Sequence, residues 1–409
     1  MSAPRWAQVA RAANLLAADG TPGATVFAQM SALATATGAV NLGQGFPDVD
    51  GPQSVARVAS DSIRAGVNQY PPGPGIPELR EAVAAHQARR YGIELDPDTQ
   101  VLVTAGATEA IASAVLALVG PGDEVLTLEP FYDAYAAVIA LAGATHTTVA
   151  LHATPQGFRL DEQALAAAFT PRTRLVLLNT PHNPTGAVLT RAELAAVARL
   201  AQRHDALVVT DEVYEHLTLP GTDGTRAEHV PIATLPGMAQ RTLTVSSAGK
   251  TFSFTGWKIG WVSGPAELVA AVRTVKQYLT YVSGAPFQPA VAFALRDEGV
   301  ATWLEELVAS LARRRDLLSQ GLRAAGFAVA PAQGTYFVVA DAAPLGHDDG
   351  TALCRELPRL CGVVGVPVSA FTRPGSRADT ALGSWVRFTF VKREEVLAEA
   401  VERLARLGA

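Results

Sequence analysis

The sequence predicts an α/β fold: a mostly parallel seven-stranded sheet between helices, joined to a smaller α+β domain formed by both chain ends. Three observations predict it. Between about residues 100 and 265, short apolar runs alternate with longer alanine- and leucine-rich segments, the pattern of a parallel sheet covered on both faces. Hydrophobic residues make up 49% of the 409 and charged residues 17%, which supplies a large core and excludes a disordered or collagen-like chain. Beyond about residue 300 the alternation gives way to one long Arg-rich segment, two short strands and a last helical stretch. The boundaries read as 1–50 for an N-terminal arm and part of the small domain, 51–295 for the large domain and 296–409 for the small C-terminal domain.

The apolar runs are Val101–Thr104, Glu124–Leu128, Arg174–Asn179, Ala206–Thr210, Arg241–Ser246 and Ile259–Ser263. The last follows its predecessor after a short loop, so it could run antiparallel. Helical stretches are expected at Glu109–Val119, Tyr132–Ala142, Arg191–Arg203 and Glu267–Tyr278. In the C-terminal part, Trp303–Ala325 and Glu394–Leu407 read as helices, with strands at Thr335–Ala340 and Trp385–Val391.

Charge and cysteine usage narrow the functional classes. The net charge of −5 argues against a nucleic-acid coat or a polybasic membrane binder. Cys354 and Cys361 are too far apart for a short metal-ligand pair and too few to staple this chain. A reducing, cytoplasmic setting is expected, and no apolar stretch approaches the ~20 residues of a bilayer span. There are only four lysines, Lys250, Lys258, Lys276 and Lys392, so lysine chemistry has few candidates.

In an open parallel sheet, ligands bind beyond the carboxyl ends of the strands. Polar residues follow one strand after another at these positions. Ala105-Gly106-Ala107-Thr108 opens a helix and could cradle a phosphate on free N–H groups, although most such turns bind nothing. Glu129-Pro130-Phe131-Tyr132 offers an aromatic that could stack on a flat ring or simply pack. Asn183-Pro184 can hold an amide at a strand end, or be only a turn. Asp211-Glu212-Val213-Tyr214 ends an apolar run on carboxylates, which need a cation or strong donor as partner unless they merely cap a helix. Ser247-Ala248-Gly249-Lys250 places a lysine among small residues, where backbone can approach a ligand. Singly each signal is weak. Together they converge on one rim and fit a ligand with a phosphate, a flat ring, a ring nitrogen and an aldehyde: pyridoxal 5′-phosphate.

These motifs resemble the class I/II, fold-type I aminotransferases, from about Thr25 to Leu407. The combination of Asn183-Pro184-Thr185-Gly186, Asp211-Glu212-Val213-Tyr214 and Ser246–Lys250 with Gly256-Trp257-Lys258 is highly specific. Asn41–Asp48 and Asn68–Gly73 resemble the kynurenine, glutamine and methionine aminotransferase branch. Lys276–Ala290 is similar to the N-succinyldiaminopimelate aminotransferases of lysine synthesis. The resemblance implies a ping-pong transfer of an amino group, with glutamate as the expected donor and a 2-oxo acid as acceptor. A cysteine-conjugate β-lyase is the rival on the same scaffold.

It also implies roles. Lys250 carries the cofactor covalently and shuttles a proton. Asp211 pairs with the ring nitrogen. Tyr214 and Asn183 bond the ring oxygen, and Tyr132 stacks on the ring. Ala107, Thr108, Ser247 and Lys258 hold the phosphate. Tyr70 reaches the phosphate of a neighbouring subunit, which makes the enzyme a homodimer with shared sites. Arg387 binds the substrate α-carboxylate, for which a planar guanidinium suits better than an ammonium, and Gly45 lies near the substrate.

Other chemistries are disfavoured by missing elements. A phosphate-binding P-loop would need glycine where Thr244 stands. The Ser-x-x-Lys at Ser247–Lys250 lacks the companion motifs of penicillin-binding enzymes. Ala105–Ala110 lacks the dinucleotide fingerprint. The eight histidines contain no His-Glu-x-x-His, and no metal is expected.

Overall fold

The structure, a computed structural model, describes residues 4–17, 19–221 and 223–407. In chain order the strands are β1 (Val40–Asn41), β2 (Val101–Thr104), β3 (Glu124–Glu129), β4 (Thr145–Thr154), β5 (Gly157–Leu160), β6 (Thr173–Asn179) and β7 (Leu207–Asp211). They continue as β8 (Thr242–Ser247), β9 (Gly260–Ser263), β10 (Ala328–Val329), β11 (Phe337–Asp341), β12 (Val363–Val364), β13 (Val366–Pro367) and β14 (Trp385–Thr389).

The large sheet has the order β2-β9-β8-β7-β6-β3-β4-β5. All six apolar runs are in it. Neighbours from β8 through β7, β6 and β3 to β4 are parallel. Strand β9 runs antiparallel to both β8 and β2. The link from Ala248 to Ile259 stays at one end of the sheet, so the chain must turn straight back. Among the described residues the sheet has eight strands rather than seven, because the four-residue β5 folds back antiparallel on β4. Strands β4 and β5 both escape a search for apolar runs. Strand β4, Thr-His-Thr-Thr-Val-Ala-Leu-His-Ala-Thr, is half solvent-facing and lacks a continuous apolar stretch.

Alternate residues of β6 show why the central runs are apolar throughout. Leu175 and Leu177 pack with Val209 and Val245 on one face, while Val176 and Leu178 pack with Leu126 and Val208 on the other. Both faces are therefore covered, and every residue from Leu175 to Asn179 is buried.

The second sheet, β10-β11-β14-β13, is antiparallel. Strand β1 pairs in parallel with β12, Val40 opposite Val363, so the two ends of the chain meet in one structure. The Arg-rich segment is a helix from Glu298 to Ala324, starting earlier than expected because the Asp297 side chain accepts the Val300 N–H as an N-cap.

Candidate active site

Strands β2, β3, β6, β7 and β8 all point their carboxyl ends at one rim, where the chain leaves the sheet at Thr104, Glu129, Asn179, Asp211 and Ser247. A cavity of about 170 Å³ opens there, and Ala107, Thr108, Tyr132, Asn183, Asp211, Tyr214, Ser247, Lys250 and Lys258 all line it. Nine of the twelve expected site residues are thus brought together. The other three, Gly45, Tyr70 and Arg387, are not among its lining residues.

Asp211 ends β7 and is almost wholly buried. Its partner is a strong donor, as a buried carboxylate requires: the Tyr135 hydroxyl donates to Oδ2 at 2.6 Å. The Val213 N–H approaches Oδ1 at 3.4 Å. Burial pushes the carboxyl up to about 6, against the pull of Tyr135, Val213 and the Lys250 charge. The group stays mostly ionised at neutral pH and can face a cation.

Asn179, at the end of β6, braces the neighbouring loop. Its Nδ2 donates to the Asp211 carbonyl at 2.8 Å and its Oδ1 accepts the Asn183 N–H at 2.7 Å. Asn183 is followed by a cis proline, and its Oδ1 accepts from Arg387 Nη1 at 3.0 Å. Arg387 Nη2 donates to the Gly43 carbonyl at 2.9 Å, while Nε has no protein partner. The guanidinium carbon lies 4.1 Å from the Phe337 ring centroid, 4.6 Å from Phe371 and 5.3 Å from Phe27. Burial lowers Arg387 to about 10, so it remains a cation. A buried arginine with aromatic faces and a free donor needs an anion, and no carboxylate pairs with it among the described residues.

The opposite end of the cavity suits a phosphate. The helix Gly106–Leu118 starts there, and its N-cap residue Ala105 gives no side-chain cap, so first-turn N–H groups are available. Gly106 has φ +74°, and a Cβ there would meet the Lys258 Nζ at 3.4 Å. A Cβ on Gly260 would lie 2.7 Å from the Gly106 carbonyl carbon, so β9 can approach the helix start only as glycine. Lys258 itself sits in the left-handed region at φ +54°, a conformation that a non-glycine residue keeps where the surroundings require it. Ser247 is the N-cap of the short helix Ala248–Thr251, accepting the Gly249 N–H at 3.2 Å. This turn presents Lys250, whose Nζ lies 6.0 Å from the Tyr214 ring centroid and 5.9 Å from that of Tyr336. Burial, with Tyr336 beside it, holds the Tyr214 phenol well above its ordinary value, so it stays a donor. Burial pushes the Tyr132 phenol up to about 12.

Gly45 lies against the second sheet. Its carbonyl accepts the Tyr336 hydroxyl at 2.8 Å, and a Cβ would meet Phe337 Cζ at 2.5 Å. Tyr70 is 80% exposed, with its ring 5.5 Å from that of Tyr281. Sequence reasoning missed Tyr135, Tyr336 and Asn179. Only Asn179 carried a local signal, a polar side chain ending an apolar run. The two tyrosines reach their partners across 76 and 291 residues of chain.

The cavity therefore combines an uncapped helix start beside one lysine with a second lysine on a turn and a buried carboxylate, and an anion-seeking arginine is bonded to one of its walls. Matching the aminotransferase class I and II model over residues 37–404, the chain belongs to that family, and it is a pyridoxal-phosphate-dependent aminotransferase. It is 56% identical over 388 residues to the probable N-succinyldiaminopimelate aminotransferase DapC of Mycobacterium tuberculosis, covering 94% of this chain and 96% of that one. The methionine aminotransferase of Escherichia coli is 40% identical over 385 residues, with 94% and 96% covered. The solved structure of the M. tuberculosis N-succinyldiaminopimelate aminotransferase matches at a TM-score of 0.90, covering 94% of this chain and 97% of that one.

Proposed function

We propose that the enzyme transfers an amino group from glutamate to N-succinyl-2-amino-6-ketopimelate, the aminotransferase step of lysine synthesis. The observation that carries this is the 56% identity, sustained over 94% of the chain, to a relative bearing that name. The 40% identity to a methionine aminotransferase supplies the second reading.

Pyridoxal phosphate, when bound, supplies an electron sink for the substrate's Cα. The residues divide the remaining work. Lys250 would carry the cofactor and, once displaced, hold and move the proton at Cα; its turn packs so closely that a Cβ on Gly249 would meet the Thr255 Cα at 3.1 Å. Asp211, buried and ionised, would keep a ring nitrogen protonated. Tyr214 and Asn183 would bond the ring oxygen, with Tyr132 on the ring face. The helix start at Ala107 and Thr108, with Ser247 and Lys258, would hold the phosphate. Arg387 would take the α-carboxylate with its free donor, near the Gly45 backbone. Tyr70, too exposed to serve its own cavity, would reach the phosphate in a second copy of the chain, making the working form a homodimer. We place the enzyme in the cytoplasm, where two buried free thiols are stable. The division at 51–295 and 296–409 is proposed as the boundary across which substrate closes.

Purified protein, glutamate and N-succinyl-2-amino-6-ketopimelate are expected to yield 2-oxoglutarate in coupled assay. No product from this pair, with brisk turnover of methionine or kynurenine, would move the substrate to the second reading. Pyruvate or ammonia released from a cysteine conjugate would mark β-elimination instead.

A further inference from the structure

Past Asp211 the chain continues through Glu212 to His216, turning away from the cavity and meeting the helix Pro77–Tyr91. There His86, Glu215 and His216 come together, each more than nine-tenths buried, and none of them lines the cofactor cavity. One ligand atom from each lies within 4.8 Å of the others. The two Nε2 atoms are 2.9 Å apart. Two nitrogens held at 2.0–2.1 Å from one tetrahedral zinc ion would stand about 3.3–3.4 Å apart, so the rings need to part by only about 0.5 Å to admit it.

Two polar atoms in the cluster lack partners. His86 Nδ1 and Glu215 Oε2 have no hydrogen bond, although most buried polar atoms do. In the empty site the two Nε2 atoms share one hydrogen bond, and an ion would take its place. The remaining atoms are braced as metal ligands usually are. Ser246 Oγ donates to Glu215 Oε1 at 2.5 Å, and His216 Nδ1 is 3.2 Å from Thr251 Oγ1.

An entry path exists. Both histidines line a surface cavity of about 550 Å³. Its walls carry charge of both signs: Arg89, Arg90 and Arg296 against Asp297, Glu298 and Glu305. The nearer cations are engaged, Arg89 with the Leu295 carbonyl at 3.0 Å and Arg90 Nε with the Tyr91 hydroxyl at 3.1 Å.

We propose that His86, Glu215 and His216 form a binding site for a divalent transition-metal ion of the zinc type, reached from this surface cavity. Two imidazoles and a carboxylate are a zinc-compatible donor set, and a tetrahedral ion would keep its fourth position for water. Glu215 completes it through a carboxylate oxygen. The ion ties the helix Pro77–Tyr91 to two segments of the active site. One is the turn that carries Asp211 and Tyr214; the other, through Thr251, is the helix that carries Lys250. The site is structural, and its existence is independent of which keto acid the enzyme uses.

The holoenzyme, stripped with chelator and dialysed, is titrated with Zn²⁺ by calorimetry. The expected result is one equivalent per chain, with affinity reduced about tenfold or more in both His86→Gln and His216→Gln. Added Zn²⁺ raises the thermal midpoint of the wild type and leaves that of His86→Gln unmoved. Absence of saturable binding, or binding equal to wild type in both variants, overturns the site.

Discussion

The two walls of the active site are built differently. The cofactor wall is assembled from consecutive strand ends of one sheet: Asn179, Asp211 and Ser247 close β6, β7 and β8, which lie side by side. The substrate wall is assembled from distant parts. Arg387 on β14 bonds the Gly43 carbonyl and Asn183, respectively 344 and 204 residues away in sequence. Tyr336, next to the second sheet, bonds the Gly45 carbonyl. The first wall is rigid because a parallel sheet covered on both faces holds it. The second depends on how the second sheet and the chain ends pack on the first, and so it is where substrate choice and motion can be tuned without disturbing the cofactor.

Substitutions on the two walls should therefore fail in different ways. Lys250→Ala is expected to cost the most, about 10⁴-fold or more in turnover, because both attachment and proton movement are lost. Single half-reactions followed by cofactor absorbance will show it, and repeated turnover by this variant would remove Lys250 from its role. Asp211→Asn should cost roughly 10²–10³-fold in kcat, the scale of removing one preorganised electrostatic partner from a buried site. The carboxyl titrates near 6 in the cofactor-free protein, so its anion is lost as pH falls through that value. Cofactor affinity should drop below about pH 6 in the wild type and be flat there in Asp211→Asn; equal profiles would break the pairing with the ring nitrogen.

On the other wall, Arg387→Lys should lose about 2–3 kcal/mol in kcat/KM, roughly 30–150-fold, while cofactor affinity stays unchanged. A simultaneous loss of cofactor would show that the two walls are not separable. Gly45→Ala forces a Cβ to within 2.5 Å of Phe337 Cζ and should destabilise the protein by about 1–3 kcal/mol, read as a lower denaturation midpoint. Tyr70→Phe removes one hydrogen bond, and cofactor affinity should weaken by about 1 kcal/mol. Mixed with Lys250→Ala subunits, it sharpens the contrast further: the hybrid's intact Lys250, on the Tyr70→Phe subunit, faces the wild-type Tyr70 of the other subunit, so its cofactor affinity should return to the wild-type value.

The same contrast explains what could be read without a structure. The six apolar runs were visible because each is buried on both faces. Strands β4 and β5 were not: the partly exposed threonines and histidines of β4 break the pattern, and β5, at the edge of the sheet, has only four residues. Asp211, Asn183 and Lys250 stood out as polar residues placed just past apolar runs, where burial would be costly without a ligand. Tyr135 gave no such sign, lying on a helix of ordinary apolar composition.

Local order along the chain thus determined the sheet, the side of it that binds and the chemical type of the cofactor, because strand ends and the residues after them are neighbours in sequence as well as in space. The structure alone decided that Tyr135 supports Asp211, that aromatic rings and Asn183 enclose Arg387, and that His86 meets Glu215 and His216. Each of these contacts joins segments whose separation along the chain is far longer than any local pattern. Their existence rests on how helices and sheets pack, and packing is a property of the whole folded chain.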